Sequence, residues 1–214
     1  NTAAVMIEPI QGEAGVIIPP DGYLQKVAKI CRKNNVLFIA DEIQTGLGRT
    51  GRLFACDHEN VRPDMTIIGK ALAGGFYPVS AVLADKDLLG LFSPGEHGST
   101  FGGNPLGAAV ARASLQVMVD EKLAERADEL GTYFMEQLAE IPSPHVKDVR
   151  GKSLLIGMEL KPEAKGARRF CEALQDRGIL VKETHQHVIR FAPPLVIDKE
   201  TIDGILPSIR EVLN

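Results

Sequence analysis

Two hydrophobic textures alternate along the chain. Short apolar runs without polar alternation occur at Val5–Ile7, Val36–Ala40, Met65–Ile68 and Val79–Ala84. Continuous runs rich in Val and Ile suit strands buried on both faces. Between the first two runs, apolar positions at Tyr23, Leu24, Val27, Ile30 and Cys31 predict a helix over about 22–34. Strands alternating with helices predict a parallel or mostly parallel sheet. From Pro105 to about Glu140 the pattern is helical, with a break near Asp120; Asn104-Pro105 is a favourable start, because Asn caps and Pro fits the first turn. Beyond Pro142-Ser143-Pro144 the texture changes. Leu154–Leu160, Ile179–Lys182 and Val188–Phe191 read as strands, and about 167–177 and Lys199–Leu213 as helices. We read residues 1–119 as part of a large α/β domain and 120–214 as a smaller α+β domain.

Composition narrows the functional classes. The chain has 214 residues, a net charge of −4, 44% hydrophobic and 24% charged residues, ordinary globular values. A nucleic-acid partner is not expected, since phosphate binding needs clustered positive charge. No apolar run approaches the roughly 18–20 residues of a bilayer-spanning helix, so a membrane partner is not expected either. Cys31, Cys56 and Cys171 lie far apart without a Cys-x-x-Cys pair, which argues against a disulfide scaffold or structural zinc and fits reduced thiols in a cytosol-like compartment. His185-x-His187 reads as a surface loop rather than a metal site, so no metal is expected.

Three predicted strands end in ionisable residues: Glu8, Asp41 with Glu42, and Lys70. Ligands of parallel α/β sheets sit at the carboxyl ends of the strands. An ion pair at a strand end is the plain structural reading of Asp41 and Lys70. Lys70, however, has apolar neighbours on both sides, a setting expected to desolvate it and make it nucleophilic toward carbonyls. Asp41 emerges from an apolar strand and is expected to need a cationic partner. A lysine that forms a Schiff base and a carboxylate that keeps a pyridine nitrogen protonated are what pyridoxal phosphate asks of a protein.

Two competing motifs carry less. Gly46-Leu47-Gly48-Arg49-Thr50-Gly51 matches G-x-G-x-x-G, but residues 41–45 separate it from the strand and place two carboxylates where a pyrophosphate would be repelled. Gly69-Lys70 and Gly151-Lys152 lack the first glycine of a P-loop.

Asp41-Glu42-Ile43-Gln44-Thr45-Gly46-Leu47-Gly48-Arg49-Thr50-Gly51, Gly69-Lys70-Ala71-Leu72-Ala73-Gly74-Gly75, His97-Gly98-Ser99-Thr100-Phe101-Gly102-Gly103-Asn104-Pro105 and Glu8-Pro9-Ile10-Gln11-Gly12-Glu13-Ala14-Gly15 together resemble the signatures of class III, pyridoxal-phosphate-dependent aminotransferases. The resemblance runs along the whole chain. It implies the C-terminal part of a fold-type I transferase: part of the large, mostly parallel α/β domain plus a small α+β C-terminal domain. Gly95–Thr100 and Ile189–Leu195 most resemble members that act on ornithine, with those acting on acetylornithine as near neighbours.

The resemblance implies a role for each matching position. Lys70 would join the cofactor and shuttle a proton between the substrate Cα and the cofactor C4′. Asp41 would pair with the pyridinium nitrogen, Gln44 would hydrogen-bond the ring hydroxyl, and Ile43 would pack on the ring face. Ser99 and Thr100 would hold the phosphate across a homodimer interface, although both also suit a plain turn. Arg190 would clamp a substrate carboxylate, and Glu13 would be its gate, pairing with it while ornithine is handled and swinging away for 2-oxoglutarate. His97 is assigned no catalytic role; Arg49 and Arg52 read as structural or at a subunit contact.

The Gly-rich phosphate loop, the aromatic stacking on the other ring face and the second substrate arginine of the family find no match here. The chain is therefore expected to correspond to roughly the C-terminal half of such an enzyme, with the N-terminal half of the same protein as a required partner. A cytoplasmic location is the default, with the mitochondrial matrix expected in a eukaryote. Two readings from other classes stay open: a non-catalytic assembly module, and a nicotinamide-binding protein resting only on Gly46–Gly51.

Overall fold

The computed structural model describes residues 1–214, which divide into two units. The first comprises 1–9, 19–47 and 52–122; the second comprises 10–18, 48–51 and 123–214. Residues 10–18 and 48–51, grouped with 1–119 in the sequence reading, cluster with the second unit.

In the first unit, β1 (Ala4–Ile7), β2 (Leu37–Asp41), β3 (Met65–Ile68) and β4 (Ala81–Ala84) form one sheet in that order. β1, β2 and β3 are parallel, and β4 pairs antiparallel with β3. All four strands arise from the apolar runs, but they are not buried throughout: β1 leaves Met6 exposed and β4 leaves Val82 and Leu83 exposed. Helix α1 (Tyr23–Lys33) buries Leu24 and Cys31 against Phe38 and Ala40 of β2. A one-turn α2 (Lys86–Leu89) precedes α3 (Pro105–Asp120). The Asn104 side chain accepts the Gly107 N–H at 2.8 Å and so caps α3.

In the second unit, β5 (Val146–Lys152), β6 (Leu155–Leu160), β8 (Val188–Phe191) and β7 (Lys182–Thr184) form an antiparallel sheet in that order. Helices α4 (Leu123–Ala139), α5 (Arg168–Gln175) and α6 (Lys199–Leu213) complete the unit. Phe134, Ile156, Met158, Leu174, Ile189, Ile202 and Ile209 belong to its core, with Phe134 and Phe191 edge to face at 5.7 Å. The predicted strand over 179–182 lies further along, at 182–184: Ile179 buries itself in the core, Leu180 points to solvent, and pairing begins where Lys182 meets Arg190. No helix is long and apolar enough to cross a membrane.

Candidate active site

Asp41 is the last residue of β2 and pairs in register with Ile67 of β3. Adjacent strands lie about 4.8 Å apart, and the chain reaches Lys70 three residues beyond Ile67. The carboxylate and the amine are therefore carried at the same end of two neighbouring parallel strands, where such sheets bind ligands. Ile43 ties the two strand ends together: its N–H donates to Asp41 Oδ1 at 3.1 Å, and a Cβ placed on Gly69 would meet its side chain at 3.6 Å.

One expectation for this pair needs correction. Lys70 is exposed rather than desolvated, because the 3-10 turn Lys70–Ala73 buries Leu72 and Ala73 and leaves Lys70 outward. Asp41, half-buried, takes no side-chain cation as partner; neither it nor Lys70 contributes to the ion pairs of the chain. What holds Asp41 is the Ile43 N–H. Lys70 has φ 42, in the left-handed region that costs a non-glycine residue about 1–2 kcal/mol. The turn persists through Leu72 N–H to Gly69 O (3.0 Å), Gly74 N–H to Ala71 O (2.9 Å) and the Ser114 hydroxyl of α3 to Ala71 O (3.2 Å).

Glu42, next to Asp41, is 1% exposed. Its carboxylate accepts the Thr45 hydroxyl and the N–H groups of Ala55 (3.0 Å) and Cys56 (2.9 Å). Glu42, read in the sequence only as a strand-end acid, anchors the 3-10 turn Ala55–Glu59, and its charge helps burial to push the Cys56 thiol up. Gly46–Gly51 runs through turns and opens no α-helix, so the geometry of a dinucleotide fingerprint is absent. Ser99 and Thr100 lie on a segment exposed from Leu91 to Gly103; the Ser99 hydroxyl accepts the Gly102 N–H at 2.9 Å. Gln44 is half-buried.

The second unit brings Glu13 and Arg190 together. Arg190 Nη1 donates to Glu13 Oε1 at 2.5 Å, and Lys182 Nζ to Glu13 Oε2 at 2.8 Å. These hydrogen bonds, Lys182's foremost and then Arg190's, hold the Glu13 carboxyl at about 2, down from the ordinary 4.5. The Glu13 loop is pinned at its backbone. Thr184 donates to the Glu13 carbonyl, and Arg150 donates to the carbonyls of Gly15 (2.7 Å) and Val16 (3.0 Å). Gly157, opposite Arg190 in the β6–β8 pairing, admits this loop: a Cβ there would lie 2.9 Å from Val16 Cβ. Arg49 donates to the carbonyls of Leu154 (3.1 Å) and Pro193 (2.6 Å), a role inside the chain. Burial, reinforced by the charge of Arg190, lowers its guanidinium to about 10.

Lys182, Thr184, Arg150 and Gly157 were not singled out in the sequence. Their roles depend on strand register and loop docking, which leave no local pattern.

The aminotransferase class-III family model matches residues 1–213. The chain is 60% identical over 213 residues to the ornithine aminotransferase of Bacillus subtilis (strain 168), covering all of this chain and 52% of that protein. Among solved structures, an ornithine aminotransferase from Plasmodium yoelii superposes with a TM-score of 0.94 at 50% identity, over 98% of this chain and 56% of that one. The acetylornithine aminotransferase from Elizabethkingia anophelis gives a TM-score of 0.93 at 50% identity, over 98% of this chain and 53% of that one. The chain thus spans about half the length of the relatives it matches. Its α/β first unit and antiparallel second unit are those of fold-type I class-III aminotransferases, and the chain belongs to the aminotransferase class-III family.

Proposed function

We propose that the whole protein is a pyridoxal-phosphate-dependent ornithine aminotransferase. It moves the δ-amino group of ornithine to 2-oxoglutarate, giving glutamate 5-semialdehyde and glutamate. The single observation carrying this is Asp41 and Lys70 at the same end of paired parallel strands.

The donor set fits the cofactor. An exposed amine is available to an aldehyde, and a half-buried carboxylate without a side-chain cation suits the positive ring nitrogen. Ile43 supplies an apolar surface between them, Gln44 an amide for the ring hydroxyl, and Ser99 and Thr100 hydroxyls for the phosphate of a second copy's site. When bound, the cofactor would supply an electron sink for the carbon bearing the migrating amine. Lys70 holds and moves the proton at its Nζ. Asp41 holds the ring charge in place, because an unpaired carboxylate at a strand end gains most from a cation. Arg190 binds a substrate carboxylate, and Glu13 covers it when the incoming group is cationic.

A homodimer with shared sites is part of the same proposal. Phe76, Leu91 and Phe101 are 80%, 76% and 79% exposed, apolar surface that a second copy or the rest of the protein would cover.

The comparable identity to an acetylornithine aminotransferase keeps that substrate as a second reading. Glutamate formation by the full-length protein with cofactor and 2-oxoglutarate tests both: a kcat/KM higher for ornithine than for acetylornithine supports the first reading, and the reverse order supports the second. No turnover with either sinks the proposal.

A further inference from the structure

The β6–β8 ladder ends at a pair that cannot close itself. Leu160 N–H donates to His187 O, so alternate pairs from there are the hydrogen-bonding ones. Met158 with Ile189 and Ile156 with Phe191 follow in register, and the next such position sets Leu154 opposite Pro193. Proline has no N–H to give, so the Leu154 carbonyl loses its ladder donor. Arg49 takes that place: its Nη1 donates to Leu154 O at 3.1 Å and to Pro193 O at 2.6 Å, both carbonyls of the pair. The residues around Arg49 are seated on the same strand ends. A Cβ on Gly48 would lie 3.1 Å from Leu195 Cδ1, and one on Gly51 would strike the Ser153 hydroxyl and lie 2.6 Å from Asp128 Oδ1. A side chain held by two carbonyls between two close approaches has little freedom to move.

This clip does not explain the charge. Two carbonyls need only a neutral donor, and a guanidinium costs more to desolvate than an amide. Arg49 takes part in none of the ion pairs of the chain. The side-chain charge that bears on it is Arg190, a like charge, which joins burial in lowering its guanidinium to about 10. Arg190 stands three residues before Pro193, so one strand end carries two guanidinium groups. One reaches the Glu13 loop and the other is held by backbone. An anion arriving at Arg190 is attracted by both and supplies the countercharge that Arg49 lacks.

We propose that Arg49 is a positioning residue for the substrate carboxylate: clamped to the Leu154 and Pro193 carbonyls, it fixes a second positive charge beside the strand end that carries Arg190, and that charge sets the preference of the site for a dicarboxylate. This rests on the carboxylate-binding role proposed above for Arg190. It accounts for a guanidinium at a place where a structural clip needs only a neutral donor.

The test compares Arg49→Lys with Arg49→Gln in the full-length holoenzyme. Each has one nitrogen able to donate to both carbonyls, and only Lys keeps the charge. The readouts are calorimetric binding of glutarate, an unreactive dicarboxylate, and the KM values for 2-oxoglutarate and ornithine. Arg49→Lys is expected to stay within about twofold of wild type in all three, since the charge remains. Arg49→Gln is expected to weaken glutarate and raise KM for 2-oxoglutarate about fivefold, the scale of one partly screened charge beyond contact distance, with KM for ornithine within about twofold. If Arg49→Gln does not fold, Arg49→Met takes its place with the same expectation. Equal glutarate affinity in the charged and neutral variants overturns the proposal, as does a KM for ornithine that rises as much as that for 2-oxoglutarate. A wild type that binds no glutarate overturns it too. Failure of both neutral variants to fold, with Arg49→Lys folded, would assign the charge to stability and overturn it as well. If the wild type transaminates neither ornithine nor acetylornithine, the functional reading fails separately, while the glutarate comparison still decides the role of Arg49.

Discussion

Asp41 and Lys70 stand at the ends of adjacent parallel strands: Asp41 pairs with Ile67, and the chain turns into Lys70 three residues later, just past the Gly69 that lies against the Ile43 whose N–H binds Asp41. One residue supplies a held negative charge, the other an exposed amine in a strained left-handed conformation.

Asp41→Asn separates charge from shape. Asn can still accept the Ile43 N–H, so thermal stability is expected to change by less than about 1 kcal/mol. Turnover of the full-length enzyme is expected to fall about a hundredfold or more, the scale of losing a preorganised charge at a reacting centre. Melting curves and kcat on the same preparation check this; retained turnover would mean that Asp41 is structural only.

Glu42 makes the opposite prediction. Its buried carboxylate satisfies two backbone N–H groups and the Thr45 hydroxyl. Glu42→Ala would leave the Ala55 and Cys56 N–H groups without their acceptor and is expected to cost about 2 kcal/mol or more, measured by denaturant unfolding. Glu42 and Asp41 are sequence neighbours with different work, and their variants should separate stability from turnover.

Gly157 sets how closely the Glu13 loop docks. Gly157→Ala puts a Cβ 2.9 Å from Val16 Cβ and 3.3 Å from Val188 Cγ1. Because the neighbour on one side is a fully buried valine, overpacking is expected to cost about 1–3 kcal/mol. The displaced loop is also expected to alter the KM ratio of oxo acid to ornithine. Unfolding midpoints and steady-state kinetics check the two parts; an unchanged midpoint would mean that the loop yields freely.

Much of the architecture is legible in the residues themselves. The parallel strands of the first unit are continuous apolar runs, Asn104-Pro105 announces α3, and Lys199–Leu213 is helical as its period demands. β5 is not legible: Val146–Lys152 alternates little and carries four charged residues, and it becomes a strand through its pairing with β6. β7 is displaced for the same reason, since its register is set against β8. At the candidate site, Asp41 and Lys70 can be read as strand ends. Glu13 and Arg190, 177 positions apart, emerge only through family resemblance. Lys182 emerges from neither, because a cross-strand neighbour has no signature until the strands are paired.

The most direct test is borohydride reduction of the full-length protein loaded with pyridoxal phosphate, followed by mass spectrometry of its peptides. The cofactor mass should sit on Lys70 and disappear in Lys70→Ala; attachment to another lysine, or none at all, would contradict the assignment of the strand-end pair as the cofactor site.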